Sequence, residues 1–501
     1  MNNKLISSGS RGPQLTIVFG ECALAPADAN HGTGPTQNSA LATPAPLAPD
    51  TPGPVSRSAG AGIPAQARAS SVATSKTVCK RKWYSLWDKV YALRNLERAW
   101  ERVASNGGAG GADGMTIEMY ARNVTARLEG LSADLKAKTY RPQPVRRVLI
   151  PKADGGKRPL GIPAIRDRIV QQALFQVLSP IFEPQFSDRS HGFRSGRGCQ
   201  SALQVVDRAV RHGYTWVVDA DIQGFFDNVN HDILLAALNE EVSDGSVLNT
   251  IRSILEAGVV QPDTSELEPS EIGTPQGGPL SPLLANIYLH RLDRAMDSQY
   301  GLVRYADDFV IFARSQSDAE AALARAREIL EGELKLQLHP EKTRIVTVDA
   351  GFEFLGFHYF RSTKGVLIKE PRRKSMQRFR DQVSARTPRI RNQKKPKRRS
   401  FALSRLSKNQ RLQRIIADVN RFLRGWYGYF RVAWLPPSTA FRTQDQIVRR
   451  RLRQALTGRV GNGWWNPVLS NHLFDHLGLV SLRQLHLHDL ERRVLLPGRK
   501  T

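Results

Sequence analysis

Gly301-Leu-Val-Arg-Tyr-Ala-Asp-Asp-Phe-Val-Ile-Phe312 sets two adjacent carboxylates, Asp307 and Asp308, between two apolar runs. Such runs read as short strands, and a tight turn between them places both acids at a hairpin tip. Neighbouring acids there are costly to ionise together unless a cation sits on them. Divalent metals that bridge carboxylates to a nucleotide's phosphates are one such cation. An Asp-Asp pair is elsewhere an ordinary solvated turn, so the weight falls on the rest of the chain.

At 501 residues the chain is long enough for two or three domains with cores of their own. A formal net charge of +27 and a pI near 10.4 call for a polyanionic partner, nucleic acid before an anionic membrane surface. No apolar run approaches the roughly 18 residues of a membrane span, so no membrane partner is expected. The first ten residues lack the apolar stretch of a signal peptide. Cys22, Cys79 and Cys199 lie far apart, which argues against a disulfide framework or a paired-cysteine zinc site and for a reducing cytoplasm.

Residues 1–78 are rich in Ala, Pro, Gly, Ser and Thr and lack apolar periodicity; nine prolines fall before residue 76. That composition predicts disorder, because too little apolar surface is available to offset chain entropy. From Trp83, Leu86, Val90, Leu93, Leu96 and Trp100 recur at helical spacing, and Gly107 to Gly114 ends that segment. A strand is expected over Val145–Ile150, a turn at Asp154-Gly155-Gly156, and a helix from Arg166 to about Ile181. Trp216–Ile222 reads as a strand, Asn230 as a helix N-cap and Ser281-Pro282 as a helix start. Strands and helices mix without a regular βαβ repeat, which predicts an α+β core followed by a helical, basic C-terminal part.

A second acidic cluster lies in Val217-Val-Asp-Ala-Asp-Ile-Gln-Gly-Phe-Phe-Asp227. On a strand, Asp219 and Asp221 point to one face. Lys152 and Arg158 flank a Gly-Gly turn, a geometry that lets two cations approach one triphosphate. Gln276-Gly277-Gly278 carries little side chain, so backbone can come close to a ligand there. Placed on a helix, residues 411–427 gather Leu412, Ile415, Ile416, Val419, Phe422, Leu423 and Trp426 on one face. Arg411, Arg414, Arg421 and Arg424 gather on the other, with Asp418 between them. Upstream, Arg389–Arg399 holds seven basic residues and no acid.

The run Asp221-Ile-Gln-Gly-Phe-Phe-Asp227 and the Tyr305-Ala-Asp-Asp308 hairpin resemble two catalytic motifs of reverse transcriptases. The chain is similar to one branch in particular, the reverse transcriptase–maturases encoded by bacterial group II introns. The similarity extends to Ile150-Pro-Lys-Ala-Asp-Gly-Gly-Lys-Arg-Pro-Leu-Gly-Ile-Pro163 and His191-Gly-Phe-Arg-Ser-Gly-Arg197. It continues through Gly273-Thr-Pro-Gln-Gly-Gly-Pro-Leu-Ser-Pro282, Phe354-Leu-Gly-Phe-His358 and Asn420-Arg-Phe-Leu-Arg-Gly-Trp-Tyr-Gly-Tyr-Phe430. These segments occur in the family's order over roughly residues 85–435.

The resemblance implies a right-handed polymerase with fingers, an RRM-like palm and a helical thumb with maturase character. It implies fingers and palm over 79–365 and a thumb/maturase region over 366–450; beyond the resemblance, residues 451–501 are expected to form a small DNA-binding appendage. Asp221, Asp307 and Asp308 would be the catalytic carboxylates holding Mg²⁺, with Asp219 a competitor for the first ligand position. The aromatic steric gate of the family falls five residues after Asp221, at Phe226. Lys152, Arg158, Ile222, Phe226, Gln276 and Lys342 would bind the dNTP, Lys342 as proton donor to pyrophosphate. Arg194 and Arg197 would contact template or nucleotide phosphates, and Arg411, Arg414, Arg421 and Arg424 intron RNA, with Trp426, Tyr427 and Tyr429 packing or stacking.

Implied partners are group II intron RNA, a DNA primer or target, and dNTPs, at the bacterial nucleoid; a homodimer is left open. Relatives with a C-terminal endonuclease carry paired cysteines that do not occur after Cys199 here. A primer from elsewhere is therefore expected. Among His472, Asp475 and His476, core or solvated histidines are expected rather than a zinc site. The family's pattern fades after about residue 440 and does not cover the N-terminal 75 residues.

Overall fold

The computed structural model describes residues 82–151, 157–261, 267–268, 272–275, 277–297, 300–388, 408–435, 440–457 and 471–495. The expected disordered stretch 1–78, the turn at Asp154-Gly155-Gly156, Lys152, Gln276 and the basic run 389–399 lie outside them.

The chain opens with helices α1 (Trp87–Tyr91), α2 (Leu93–Asn106), α3 (Ile117–Ala121) and α4 (Val124–Lys136). The continuous periodicity from Trp83 is broken at Ala92, whose ψ of 127° is extended, so two helices form where spacing suggested one. Strands β1 (Val145–Pro151) and β2 (Lys157–Ile162) pair antiparallel, Pro151 opposite Lys157. Helix α5 (Ile165–Phe182) buries Ile165, Ile169, Val170, Ala173, Leu174 and Leu178 against α2 and its neighbours. With Asp167, Arg168 and Gln171 buried as well, α5 is an interior helix.

Helix α6 (Cys199–Arg211) precedes β3 (Trp216–Asp221), followed by α7 (His231–Asn239) and α8 (Gly245–Leu255). Asn230 caps α7 as expected, its side chain accepting from Ile233 N at 3.0 Å. Short strands β4 (Val259–Val260) and β5 (Leu267–Glu268) extend the β1–β2 sheet. Helix α9 (Ser281–Asp297) leads to β6 (Gly301–Tyr305), β7 (Asp308–Ala313), α10 (Gln316–Arg327) and β8 (Arg344–Thr347).

The central sheet has the order β6-β7-β3-β8, antiparallel throughout. Both faces are covered, and the strand alternation assigns each side chain a layer. Leu302, Phe309, Ile311, Val218 and Ala220 join the core with α5 and α9. Val303, Val310, Phe312 and Val217 join the core with α6 and the C-terminal helices. This is the palm of a right-handed polymerase fold.

A three-stranded sheet follows, β9 (Phe352–Phe354), β10 (Phe357–Arg361) and β11 (Leu367–Pro371). Lys369 on β11 is fully buried, bonded to Asp207 of α6 at 2.9 Å beneath the Tyr359 and Trp434 rings. The chain then runs through α11 (Arg373–Arg386), α12 (Lys408–Phe430), α13 (Arg442–Thr457), α14 (Asn471–His476) and α15 (Leu482–Leu495). Two of the expected boundaries fall inside structural units: 365/366 in the β10–β11 hairpin and 450/451 within α13. Nor do the last two helices form a separate appendage. Tyr427 Oη donates to Asp489, Asn420 Nδ2 to Gly478 O, and Phe474 and Leu482 share the α12 core. No helix among the described residues is long and apolar enough to cross a membrane.

Candidate active site

Asp221 ends β3 and Asp308 begins β7, and the two are Cα partners across the sheet. Tyr305 pairs with Asp308, leaving Ala306 and Asp307 as a two-residue turn. Ala306 has φ of 58°, the left-handed conformation that hairpin turns matched to strand twist require. The pleat puts Asp219, Asp221 and Asp308 on one face, the side carrying α6 and α12.

Crowding of like charge is visible in the electrostatics. Burial pushes the Asp308 carboxyl up to about 7, with Asp307 and Asp221 adding to the rise and Arg372 opposing it. Asp219 is also raised, chiefly by burial, and it accepts from Arg344 at 3.1 and 3.2 Å. Asp219 thus has a guanidinium partner within its own sheet. Lys342 Nζ lies 2.7 Å from Asp221 Oδ2, so an ammonium already marks the Asp221 oxygen as a cation position.

A divalent ion suits this donor set, because acids that disfavour joint ionisation become favourable ligands once a dication is present. Among the described residues, no three His, Cys, Asp or Glu side chains are gathered closely enough to cage an ion alone.

The remaining expected residues are placed unevenly. Ile222 and Phe226 are buried, and the Phe226 ring packs edge-on to Phe225 at 5.1 Å. Thr274 N donates to Phe226 O at 2.7 Å, tying the glycine-rich segment to the β3 motif. The close backbone approach predicted for Gly277 is made to protein: a Cβ there would lie 2.5 Å from Gly161 O of β2. Arg158 stands on β2 opposite Ile150.

Arg194 does not offer itself to a phosphate. It is buried, bonded to Glu183 Oε1 at 2.8 Å and to the Ser187 and Ser190 carbonyls, so it shapes the loop that carries it. Arg197 is partly exposed and paired with Asp188.

Sequence reasoning missed the supports beneath the hairpin. Gly192 lies so close to the turn that a Cβ would sit 2.3 Å from Ala306 N. Arg304, Asp293, Asn286 and Ser190 form a buried polar cluster under the same turn. The signal was present: Arg304 is a charge inside an otherwise apolar strand, where only a paired cation is tolerated.

On α12, Leu412, Ile416, Val419, Leu423 and Trp426 are buried while Arg414, Arg421 and Arg424 are exposed and Arg411 is half-buried. Arg421 bonds to Asp418 at 2.9 Å. The aromatic residues are not free to stack on bases. Trp426 and Tyr427 are core residues, and Tyr429 Oη donates to Leu355 O.

A paired-carboxylate hairpin on an antiparallel palm defines a nucleotidyltransferase-type site, and sequence comparison assigns its branch. Residues 150–359 match the family described as reverse transcriptase (RNA-dependent DNA polymerase), and residues 393–467 match the group II intron maturase-specific domain. The chain is 34% identical over 291 residues to Protein YkfC of Escherichia coli K12, covering 50% of this chain and 76% of that protein. It is 31% identical over 332 residues to the group II intron-encoded protein LtrA of Lactococcus lactis, covering 52% of this chain and 54% of LtrA. Among solved structures it is similar to a partial Cas6-RT-Cas1–Cas2 complex, at 26% identity, 50% and 43% coverage and a TM-score of 0.33. The chain belongs to the group II intron reverse transcriptase–maturase family: its polymerase module is an RNA-directed DNA polymerase and its C-terminal module an RNA-binding maturase domain.

Proposed function

We propose that the protein extends a DNA 3′-end with dNTPs on an RNA template, using Asp221, Asp307 and Asp308 as its catalytic carboxylates. The observation that carries this reading is the pairing of Asp221 with Asp308 across β3 and β7, with Asp307 in the adjoining turn. Mg²⁺ bound there would supply charge neutralisation for the attacking 3′-oxygen and the leaving pyrophosphate. Asp221 and Asp307 would hold it, and Asp308, whose carboxyl is raised chiefly by burial, would be the third ligand or a partner of the first two.

Lys342 is close enough to the carboxylates to hand a proton to departing pyrophosphate once its contact with Asp221 is exchanged. Phe226, anchored behind the β3 motif, supports discrimination against a ribose 2′-hydroxyl. Lys152, Arg158, Ile222 and Gln276 complete the dNTP contacts. The arginine face of α12 binds intron RNA through its phosphates, which supports splicing and insertion primed by an existing DNA end. Arg197 adds a template-side contact.

Extension of oligo(dT) on poly(rA) by the full chain with Mg²⁺ and dTTP tests the reading. Product formation supports it. No product from folded, RNA-bound protein leaves a maturase that binds RNA without polymerising.

A further inference from the structure

We infer that Arg304 is a positioning residue for nucleotidyl transfer: its buried ion pair with Asp293 fixes the turn that carries Asp307. The inference rests on the polymerase reading above and concerns a residue on the far side of the sheet from the carboxylates.

Arg304 is fully buried in β6, between Val303 and Tyr305. All five of its N–H donors are used. Nε and Nη2 donate to the two Asp293 oxygens at 2.7 and 2.5 Å. Nη2 also donates to Ser190 Oγ at 2.8 Å, and Nη1 to Asn286 Oδ1 at 3.1 Å. The remaining Nη1 bond, 2.8 Å, goes to the carbonyl of Ala306. That carbonyl belongs to the peptide joining Ala306 to Asp307, so the guanidinium grips the backbone immediately before the expected metal ligand.

The grip reaches two further segments. Arg304 N donates to Arg189 O and Arg304 O accepts from His191 N, each at 2.9 Å. Asn286 Nδ2 donates to Gly192 O at 2.9 Å, and Gly192 is pressed onto Ala306. One guanidinium therefore locks the catalytic turn, the loop at 189–192 and helix α9 together.

Stability alone explains this arrangement poorly. A buried ion pair is commonly matched or exceeded in stability by apolar side chains of similar volume, because desolvation cancels most of the attraction. What an apolar pair does not reproduce is the hydrogen bond to Ala306 O. Ala306 sits at φ of 58° without being glycine, a conformation that persists where surroundings over-determine it. The Arg304 contact and the Gly192 contact are the over-determining ones.

The test compares full-length wild type with the double variant Arg304→Met/Asp293→Leu, which removes both charges together, and with Ser190→Ala. Single-turnover primer extension on an RNA template is followed as a function of Mg²⁺, beside thermal unfolding and template–primer affinity. The double variant is expected to unfold within a few degrees of wild type and to bind template–primer normally. Its maximal rate should fall roughly ten- to hundredfold and its half-saturating Mg²⁺ should rise. Ser190→Ala should lose rate several-fold while staying folded at a somewhat lower melting temperature, because one buried N–H of Arg304 is left unpaired, and Ser190→Thr, which keeps the hydroxyl, should recover part of the rate. A wild-type rate and Mg²⁺ dependence in the double variant would overturn the proposal, as would losses that track the folded fraction alone. If the double variant does not fold, Ser190→Ala decides: unchanged rate overturns the proposal, reduced rate measured well below its melting temperature, where it is fully folded, upholds it. A wild-type protein that makes no product strikes the polymerase reading itself, not the positioning role.

Discussion

Asp221 and Asp308 face each other across the antiparallel register of β3 and β7, and Asp307 occupies the turn one residue away. Two segments 87 positions apart in sequence thus bring their acids to one end of one sheet. Asp308 carries the imprint of that proximity, its carboxyl pushed up to about 7 by burial and by Asp307 and Asp221.

Gly192→Ala should impair the turn. The added methyl would sit 2.3 Å from Ala306 N, which is backbone and cannot swing aside. Overpacking of this kind costs about 1–3 kcal/mol. Polymerase activity should fall by at least about tenfold while RNA affinity stays at wild type. Filter binding and primer extension on the same preparation check this; equal activity would show that the loop does not support the turn.

Asp167→Asn should flatten the acid side of the stability profile. Burial raises the Asp167 carboxyl to about 6 from an ordinary 3.8, although Tyr140 Oη and Gln143 N both donate to it. A folded-state value above the unfolded one means the native state holds its proton more tightly. The associated stability is present below about pH 4 and is lost as pH rises through 6, on the order of 3 kcal/mol in all. Chemical denaturation between pH 4 and 7 should show that decline in wild type and not in the variant. A parallel slope in both would refute the assignment.

Replacing Arg414 and Arg424 by Gln should weaken intron RNA binding through its salt dependence. Both side chains are exposed on the face of α12 opposite its buried apolar row. Each arginine–phosphate pairing removed should reduce the slope of log affinity against log salt by about 0.7 for single-stranded RNA. An unchanged slope would mean that this face does not touch RNA.

Phe226→Val should relax sugar selection. The ring is almost wholly buried against Phe225, so the smaller aliphatic residue retains a packed core better than Ala. Relative incorporation of rNTP over dNTP should rise by about tenfold or more. Unaltered discrimination would remove Phe226 from the role.

Local signals in the chain foretold much of the fold and part of the site. Strand alternation placed Asp219 and Asp221 on one face, the Asn230 cap was legible, and helical spacing divided α12 into apolar and arginine faces. What escaped was set by contacts distant in sequence. Arg194 looks like a phosphate ligand in the chain, but its partners Glu183 and Ser187 fold back onto it. Gly192 looks like an ordinary loop glycine until Ala306 arrives over a hundred positions later. Tyr427 and Tyr429 look available to bases, whereas Asp489 and the Leu355 carbonyl claim their hydroxyls. The Arg304 cluster draws on three segments, and only its anomalous charge within a buried strand hinted at it.

The most direct measurement of the central claim is RNA-templated primer extension by Asp307→Ala, made beside its affinity for the template–primer. Loss of a metal-holding carboxylate should lower the rate by about a thousandfold or more, while affinity and melting temperature stay near wild type. An Asp307→Ala protein that extends primer at the wild-type rate would contradict the assignment of catalysis to this hairpin.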